Sequence, residues 1–271
     1  MERNSWHESV LEAMAPWTPQ IQLSSAAEVG LEIPAAQTLY GLRIADLFIH
    51  LVPLQHALLP ETLLRLQEKA LQQGMRCIHL WEDIWYSRET MVIDRIKTLL
   101  GLNTRIYARE SQIGVVSAAQ TRLFLRQYHF LADVRAKYSY GLYHQGRLMA
   151  LAAFSGLRPM PSRGKAYQSA ELLRFVSLPG FTVVGGLSRL IRHFIRQTQP
   201  DDLMTYADRD WSLGASYEKL GFTYSGITAP IHLWVNPEDY SRYYAHRMPQ
   251  PGAPMVPVFT TGNLKYHLFC S

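Results

Sequence analysis

The sequence is poor in cysteine, in charge and in long apolar runs. Cys77 and Cys270 are the two cysteines in 271 residues, which excludes a disulfide framework or a cysteine-based zinc cluster. No run of about 18 apolar residues occurs, which excludes a transmembrane helix, and the start MERNSWHESV lacks the basic and then apolar pattern of a secretory signal. Hydrophobic residues nevertheless make up 48% of the chain and charged ones 18%, enough apolar material for packed cores. We expect a folded, soluble, cytoplasmic protein.

Charge is distributed unevenly along the chain. Residues 1–104 contain 8 Lys and Arg against 12 Asp and Glu, whereas residues 105–271 contain 19 against 10. Fifteen of those 19 are arginine, the side chain suited to bidentate contacts with phosphate and guanine. The asymmetry predicts a domain boundary near residue 104 and leaves two interpretations of the second part, a solvated basic face or a surface that binds a polyanion.

The first hundred residues have the pattern of a small α/β unit. A helix is predicted from Trp6, ended by Pro16. Residues 41–54 (GLRIADLFIHLVPL) read as one buried strand that contains Asp46, residues 60–73 as a helix and residues 75–81 as a second strand, which together predict a parallel β-α-β unit. A further helix is predicted over residues 87–100.

The pattern starts again after residue 105. Residues 117–130 predict a helix with Ser117 as its N-cap, and two strands joined at Gln145-Gly146 follow. The segment ELLRFVSLPGFTVVGGLSRLIRHFIRQ then reads as strand, glycine pair and amphipathic helix, and a strand at 203–207, a helix at 212–220 and one or two strands over 223–235 come after it. The C-terminal residues 251–271 are rich in proline and could add an edge strand.

The glycine pair Gly185-Gly186 opens a helix that carries Arg189 and Arg192 in its first turns. Glycines at this position let backbone N–H groups approach a phosphate, whose negative charge the helix N-terminus favours. Tight packing of the backbone is the alternative explanation of the two glycines.

Residues 105 to about 235 resemble the GNAT superfamily of N-acetyltransferases. The string ASYEKLGF is similar to the "lYekLGF" ending of that family, and the combination of ELLRF, GG-x-S and TYAD is similar to the Mom-type phage DNA-modification proteins. The resemblance implies a GNAT-like mixed sheet, acetyl-CoA or another acyl-CoA as cofactor, and an acyl group presented where two neighbouring strands splay apart.

The resemblance also implies roles for particular residues. Asp208, or Glu171 through a water, would take a proton from the acceptor amine, Tyr217 would act as the acid for the thiolate, and Arg174 would hold an anionic group. Structural roles remain open for three of them: a core aromatic for Tyr217, a turn residue for Asp208 and an ion pair for Arg174. The cofactor would be bound by Val183, Val184, Gly185, Gly186, Leu187, Ser188 and Arg189, and the substrate by Tyr140, Tyr143, Arg158, Arg163, Tyr206 and Trp211.

The first hundred residues are similar to the Vsr-like, restriction-endonuclease-fold domains of phage homing enzymes, through SWHESVLEAM, IADLFI and GMRCIHLWEDIW. That family places an acid-Asn-Gly stretch after the strand that bears the aspartate, and this chain has HLVPLQHALLPE there. A nuclease of this kind needs several carboxylates on Mg²⁺, and only Glu8, Asp46, Glu82 and Asp83 remain. We therefore expect a degenerate nuclease domain and no metal site.

The sequence as a whole predicts an α/β (α+β) protein. A small restriction-endonuclease-like domain at 1–104 precedes a GNAT-like domain at 105–250 and a tail at 251–271. The leading functional hypothesis is an acyl-CoA-dependent transferase that acts on nucleic acid, DNA in preference to RNA. The alternatives are a non-catalytic nucleic-acid-binding protein and an N-acetyltransferase of small molecules or proteins, because the fold alone does not select among them.

Overall fold

A computed structural model describes residues 5–131, 134–248 and 254–270, and these residues form a mixed α/β structure, as the sequence predicts. The helices are α1 (Ser5–Met14), α2 (Pro60–Gln72), α3 (Glu82–Leu99), α4 (Ala118–Tyr128), α5 (Gly186–Thr198) and α6 (Ala215–Glu218). The strands are β1 (Gln22–Ser25), β2 (Tyr40–Ile44), β3 (Leu47–Val52), β4 (Arg76–Trp81), β5 (Thr104–Tyr107), β6 (Gln112–Val115), β7 (Tyr138–His144), β8 (Arg147–Phe154), β9 (Arg158–Pro159), β10 (Gln168–Ser177), β11 (Phe181–Val184), β12 (Asp202–Asp208), β13 (Thr223–Ile227), β14 (His232–Val235), β15 (Arg242–Tyr243), β16 (Val256–Phe259) and β17 (Asn263–Phe269).

The chain forms two compact units, and neither is one continuous stretch. The first unit consists of residues 1–93, 207–213 and 227–264, and the second of residues 94–206, 214–226 and 265–271. The first passage between them, after Ile93, lies inside α3. Among the described residues, no helix combines the length and the apolar character that crossing a membrane requires.

The first unit is built on a four-stranded sheet in the order β1-β2-β3-β4. Strands β3 and β4 are parallel and α2 connects them, which confirms the predicted β-α-β unit. Leu63, Leu66 and Ala70 recur on one face of α2 and are fully buried, so the helix covers the sheet with an apolar stripe. A small sheet in the order β15-β14-β16 completes the described strands of this unit.

The prediction of one strand over residues 41–54 is wrong. The segment is an antiparallel hairpin of β2 and β3, with Arg43 opposite Phe48. Ala45 at the turn has φ 51°, a left-handed conformation that the residue type does not predict. Asp46 consequently lies in an exposed turn instead of a buried strand, and its carboxylate accepts two hydrogen bonds of 2.9 Å from Arg76.

The second unit contains a large sheet in the order β13-β17-β12-β10-β8-β7-β6, with β9 paired to β10. Strands β6, β7, β8 and β10 are antiparallel, while β10 and β12 are parallel. Helix α5 lies in the connection between that parallel pair, and its buried side chains Leu190, Ile191 and Phe194 face the core. Ser117 caps α4 in a reciprocal capping box with Gln120, as the sequence predicts.

Three elements of the sequence prediction differ from the structure. The tail forms β17 between β13 and β12, inside the sheet and not at its edge. Helix α6 spans four residues instead of nine, and it begins after Gly214, its N-cap, which has φ 80° and lies beside the phenol of Tyr266. Helix α3 begins at Glu82, before the predicted start, and breaks its regular geometry at Arg88.

Candidate functional site

The parallel strands β10 and β12 separate midway along their length. Their register runs from Ser169 opposite Asp202 to Leu172 opposite Thr205, although β10 continues to Ser177 and β12 to Asp208. On its other side β10 carries a bulge between Leu172 and Arg174, and a bulge bends a strand and redirects its side chains. An opening therefore forms between the two strands beyond Leu172.

Glu171 lies at this opening among cationic groups. Its carboxyl is half-buried, and burial raises its pKa above the ordinary value while the charges of Arg158, Arg174 and Lys265 act in the opposite direction. Burial also raises the pKa of Tyr206, as does the nearby charge of Glu171. A carboxylate with a raised pKa is a better proton acceptor than an ordinary one, and the nearby cations suit an anionic substrate.

Tyr217 lies on α6 and contacts β12, the other strand of the opening. Its hydroxyl is hydrogen-bonded to the side chain of Thr205, and Thr205 Oγ1 donates in turn to the carbonyl of Leu172 at 3.1 Å. Burial raises the pKa of Tyr217, so the phenol keeps its proton. Its ring packs on Phe222 and Tyr266. Tyr217 can therefore be a core aromatic and still place its hydroxyl at the opening.

His129, at the end of α4, lies near two arginines. Its Nδ1 accepts the Leu131 N–H at 3.0 Å, so the other ring nitrogen carries the proton of the neutral ring. Burial, with the charges of Arg174 and Arg95, lowers the pKa of His129 to about 4. A histidine of this kind is a neutral donor at physiological pH and not a general base.

The start of α5 forms an open pocket in the same unit. Gly185 is the N-cap with φ 75°, and a Cβ on Gly186 would lie 3.1 Å from Val183 and 3.2 Å from Leu142. The pocket has a volume of about 450 Å³ and is lined by Tyr107, Ala108, Arg109, Val184, Gly185, Arg189, Arg192 and Arg196. Val183 is buried, and Leu187 and Ser188 are half-buried in the first turn of the helix. Both explanations of the glycine pair have support, since Gly186 packs tightly and Gly185 lines the pocket.

Two residues of the predicted site belong to the first unit. Asp208 ends β12, and its carboxylate accepts the Asp210 N–H at 3.0 Å in a local turn. Its negative charge also acts on the guanidinium of Arg242. Trp211 is buried. Within the second unit, by contrast, Glu171, Arg174, Tyr206 and Tyr217 all lie on or beside the strands that separate.

Other predicted substrate residues have partners or are covered. The Tyr140 ring is buried and lies 4.6 Å from that of His193, and Tyr143 is half-buried against the core, which leaves little of either ring for stacking on a base. Arg163 is ion-paired with Asp202, a fully buried carboxylate that Tyr167 also contacts at 3.1 Å. Arg158 is exposed and acts on Glu171.

The sequence reasoning missed several residues that the structure brings to these sites. Lys265 lies on β17, about 90 positions after Glu171 along the chain, and only the strand order brings the two together. Thr205 looks like an ordinary strand residue until the register with Leu172 is known. Arg196 continues the helical spacing of Arg189 and Arg192, which the sequence analysis had named, and this spacing is a signal that the sequence does contain.

Three acidic residues of the first unit are hydrogen-bonded to other protein groups. Asp83 is fully buried and receives hydrogen bonds of 2.5 and 2.9 Å from Arg242. Glu82 accepts the Leu54 N–H at 2.8 Å, and Asp210 accepts the Thr261 hydroxyl at 2.6 Å. Among the described residues, no group of three or more histidine, cysteine or acidic side chains is arranged to hold a metal ion.

No protein-family model and no curated protein matches this sequence. Solved structures that resemble it are acetyltransferases. A Bacillus subtilis acetyltransferase in complex with CoA is 12% identical and has a TM-score of 0.38, with 59% of this chain and 99% of that chain covered. The ribosomal-protein-S18-alanine N-acetyltransferase of Escherichia coli is 14% identical with a TM-score of 0.38, over 59% and 94%. A GNAT family acetyltransferase of Elizabethkingia anophelis with acetyl-CoA bound is 13% identical with a TM-score of 0.36, over 59% and 99%.

Proposed function

We propose that this protein is an acyl-CoA-dependent acyltransferase. The observation that carries the proposal is the separation of β10 and β12 beyond Leu172 and Thr205, with Glu171 on one strand and Tyr217 hydrogen-bonded to the other. An acid and a base on the two sides of one opening provide the two proton transfers that acyl transfer to an amine requires.

The residues at the start of α5 fit the phosphates of such a cofactor. Gly185 exposes its backbone to the pocket without a side chain, and Arg189 lies one turn further along the same helix. Backbone N–H groups and the helix dipole favour an anion at this end. When bound, an acyl-CoA supplies the thioester carbonyl at which transfer takes place.

The side chains of the opening divide the proton transfers between them. Glu171 accepts a proton from the acceptor amine as the new nitrogen–carbon bond forms. Tyr217, whose raised pKa keeps its proton in place, would supply a proton to the departing thiolate. Arg174, next to the bulge in β10, holds negative charge near the reacting carbonyl.

The acceptor that we favour is a nucleobase amine of a nucleic acid, DNA in preference to RNA. The cations Arg158, Arg174 and Lys265 beside Glu171 support an anionic acceptor, as do the basic residues of positions 105–271 and the resemblance to Mom-type proteins. A base in a duplex would have to leave the stack to reach the opening. Small-molecule and protein amines are the second class of acceptor, and a nucleic-acid-binding protein without catalysis is the third candidate.

Calorimetry with acetyl-CoA, followed by assays of thiol release, tests the proposal. We expect acetyl-CoA binding, and thiol release that increases with single-stranded oligonucleotides more than with nucleosides, polyamines or peptides. Glu171→Gln and Tyr217→Phe should each lower the rate of release about 100-fold with acetyl-CoA affinity unchanged. Arg147→Ala, at an exposed hairpin turn, is the control.

Absence of acetyl-CoA binding would contradict the transferase and leave the non-catalytic nucleic-acid-binding protein. Release stimulated by peptides or small amines, and not by oligonucleotides, would keep the transferase and replace the acceptor.

A further inference from the structure

Three arginines form a stripe along one face of α5. Arg189, Arg192 and Arg196 follow the i, i+3, i+7 spacing of one helical face. All three line the pocket of about 450 Å³ described above, together with Arg109. Positions 189 and 196 are seven residues apart, about 10 Å along a helix axis at 1.5 Å per residue. The stripe is therefore longer than a single phosphate group at the start of the helix.

Arg189, the first of these arginines, already has a hydrogen-bond partner in the protein. Arg189 donates to the carbonyl of Ala108, which also lines the pocket. This contact restrains the guanidinium in a pocket that Gly185 lines as well. Arg189 is accordingly placed for the group that binds at the helix N-terminus.

Arg192 and Arg196 have no such partner among the residues that the structure describes. Both are exposed, and among the described residues no carboxylate lies within ion-pair distance of either. The pocket lining contains no acidic residue, and α5 has none in its sequence GLSRLIRHFIRQT. Like charges at i and i+4 of a helix repel each other and destabilise it. An anion between them would remove that repulsion.

We infer that Arg192 and Arg196 form a second phosphate subsite, which recognises the 3′-phosphate of the CoA ribose. This inference rests on the proposed acyl-CoA-dependent function. CoA carries its diphosphate and its 3′-phosphate on one ribose, so the two anionic groups are separated by that sugar. Arg192 lies about 4.5 Å and Arg196 about 10 Å beyond Arg189 along the helix axis, a spacing that suits two neighbouring anionic groups on one nucleotide. The pair would make the protein select CoA over carriers that lack this phosphate.

Titration calorimetry with CoA and with dephospho-CoA tests the subsite. Wild-type protein should bind CoA about tenfold more tightly than dephospho-CoA, the gain expected of one charge-assisted contact. Arg192→Ala and Arg196→Ala should each remove most of that difference by weakening CoA binding, while the affinity for dephospho-CoA stays the same. Arg147→Ala should preserve the difference. Thermal unfolding of each variant verifies that it is folded.

The outcomes separate this inference from the proposed function. Equal affinity of wild-type protein for CoA and dephospho-CoA overturns the subsite and leaves the acyltransferase in place. Failure to bind either compound overturns both. If Arg192→Ala and Arg196→Ala weaken binding of a single-stranded oligonucleotide and leave CoA affinity unchanged, the stripe is a nucleic-acid surface and the subsite is overturned.

Discussion

Glu171 shows how a single residue acquires a chemical role from its surroundings. In the sequence it is one of 22 acidic residues. In the structure it lies half-buried where two strands separate, and the charges of Arg158, Arg174 and Lys265 act on it. The resemblance to a family singled it out, but the raised pKa depends on burial, which no local pattern of residues encodes.

The pH dependence of transfer should reveal Glu171. Because the base is active when deprotonated and its pKa is raised above 4.5, the rate should rise with pH through that raised value and then level off. Steady-state rates of thiol release at pH 5 to 9 measure this limb. Glu171→Gln should abolish it, whereas an unchanged profile in that variant would assign the base to another group.

The buried histidines of the first unit should make stability sensitive to acid. His50 Nδ1 lies 3.0 Å from His79 Nδ1, and burial, with the charges of His7 and His56, lowers the pKa of His50 to about 3. The unfolded chain takes up a proton near pH 6.5 and the folded one does not. The free energy of unfolding should therefore fall by about 1.4 kcal/mol per pH unit for His50 as pH drops below 6.5.

Urea unfolding at pH 7, 6 and 5 measures this slope. His50→Asn should reduce it, and His232→Asn, a change at an exposed position, should leave it as it is. Stability that stays constant from pH 7 to 5 in the wild-type protein would contradict the buried neutral pair.

Arg158 and Arg163 looked equivalent in the sequence, as two cations of an exposed loop. The structure separates them, because Arg163 is paired with the buried carboxylate of Asp202. Arg163→Ala should lower the free energy of unfolding by about 1–3 kcal/mol, the cost of leaving a buried acceptor poorly satisfied. Arg158→Ala should leave stability unchanged and weaken acceptor binding. Chemical unfolding of both variants decides, and equal stability would contradict the pairing.

At the scale of elements, the periodic pattern predicted the regular pieces and missed the places where backbone geometry decides. The hydrophobic stripe of α2, the cap of α4 and the turn at Gln145-Gly146 follow from local residue types. The turn at Ala45 does not, because alanine seldom adopts a positive φ. The burial of β17 inside its sheet depends on strand order, which a short C-terminal pattern leaves undetermined.

Gly214 offers a test of how α6 is positioned. Gly214 and Gly180 have nearly the same backbone, with φ 80° and 81°, but a Cβ on Gly214 would overlap the Tyr266 phenol and one on Gly180 would meet nothing within 4 Å. Gly180→Ala should cost about 1 kcal/mol through backbone strain alone. Gly214→Ala should destabilise the protein considerably more and displace Tyr217. Equal melting temperatures of the two variants would show that Tyr266 gives way.

At the scale of the whole molecule, the predicted mixed α/β class of fold is confirmed. The acidic residues of the first unit bear on the prediction that this unit has no nuclease activity. The carboxylates Asp46, Asp83 and Asp210 all have protein partners, and in the part of the chain that the structure describes no group of three or more metal-ligating side chains gathers where Mg²⁺ could bind. Incubation of the protein with plasmid DNA in Mg²⁺ or Mn²⁺ should produce no cleavage. Cleavage that disappears in Asp46→Ala would restore the nuclease hypothesis.

The path of the chain through its two units has a consequence for how the protein can be divided. The chain passes between the units five times, and residues as distant as Asp83 and Arg242 pair within the first of them. A single recombination event at residue 104 would therefore transfer neither unit whole, and would deliver Asp83 without its counterion. No division of the chain at a single position separates the two units.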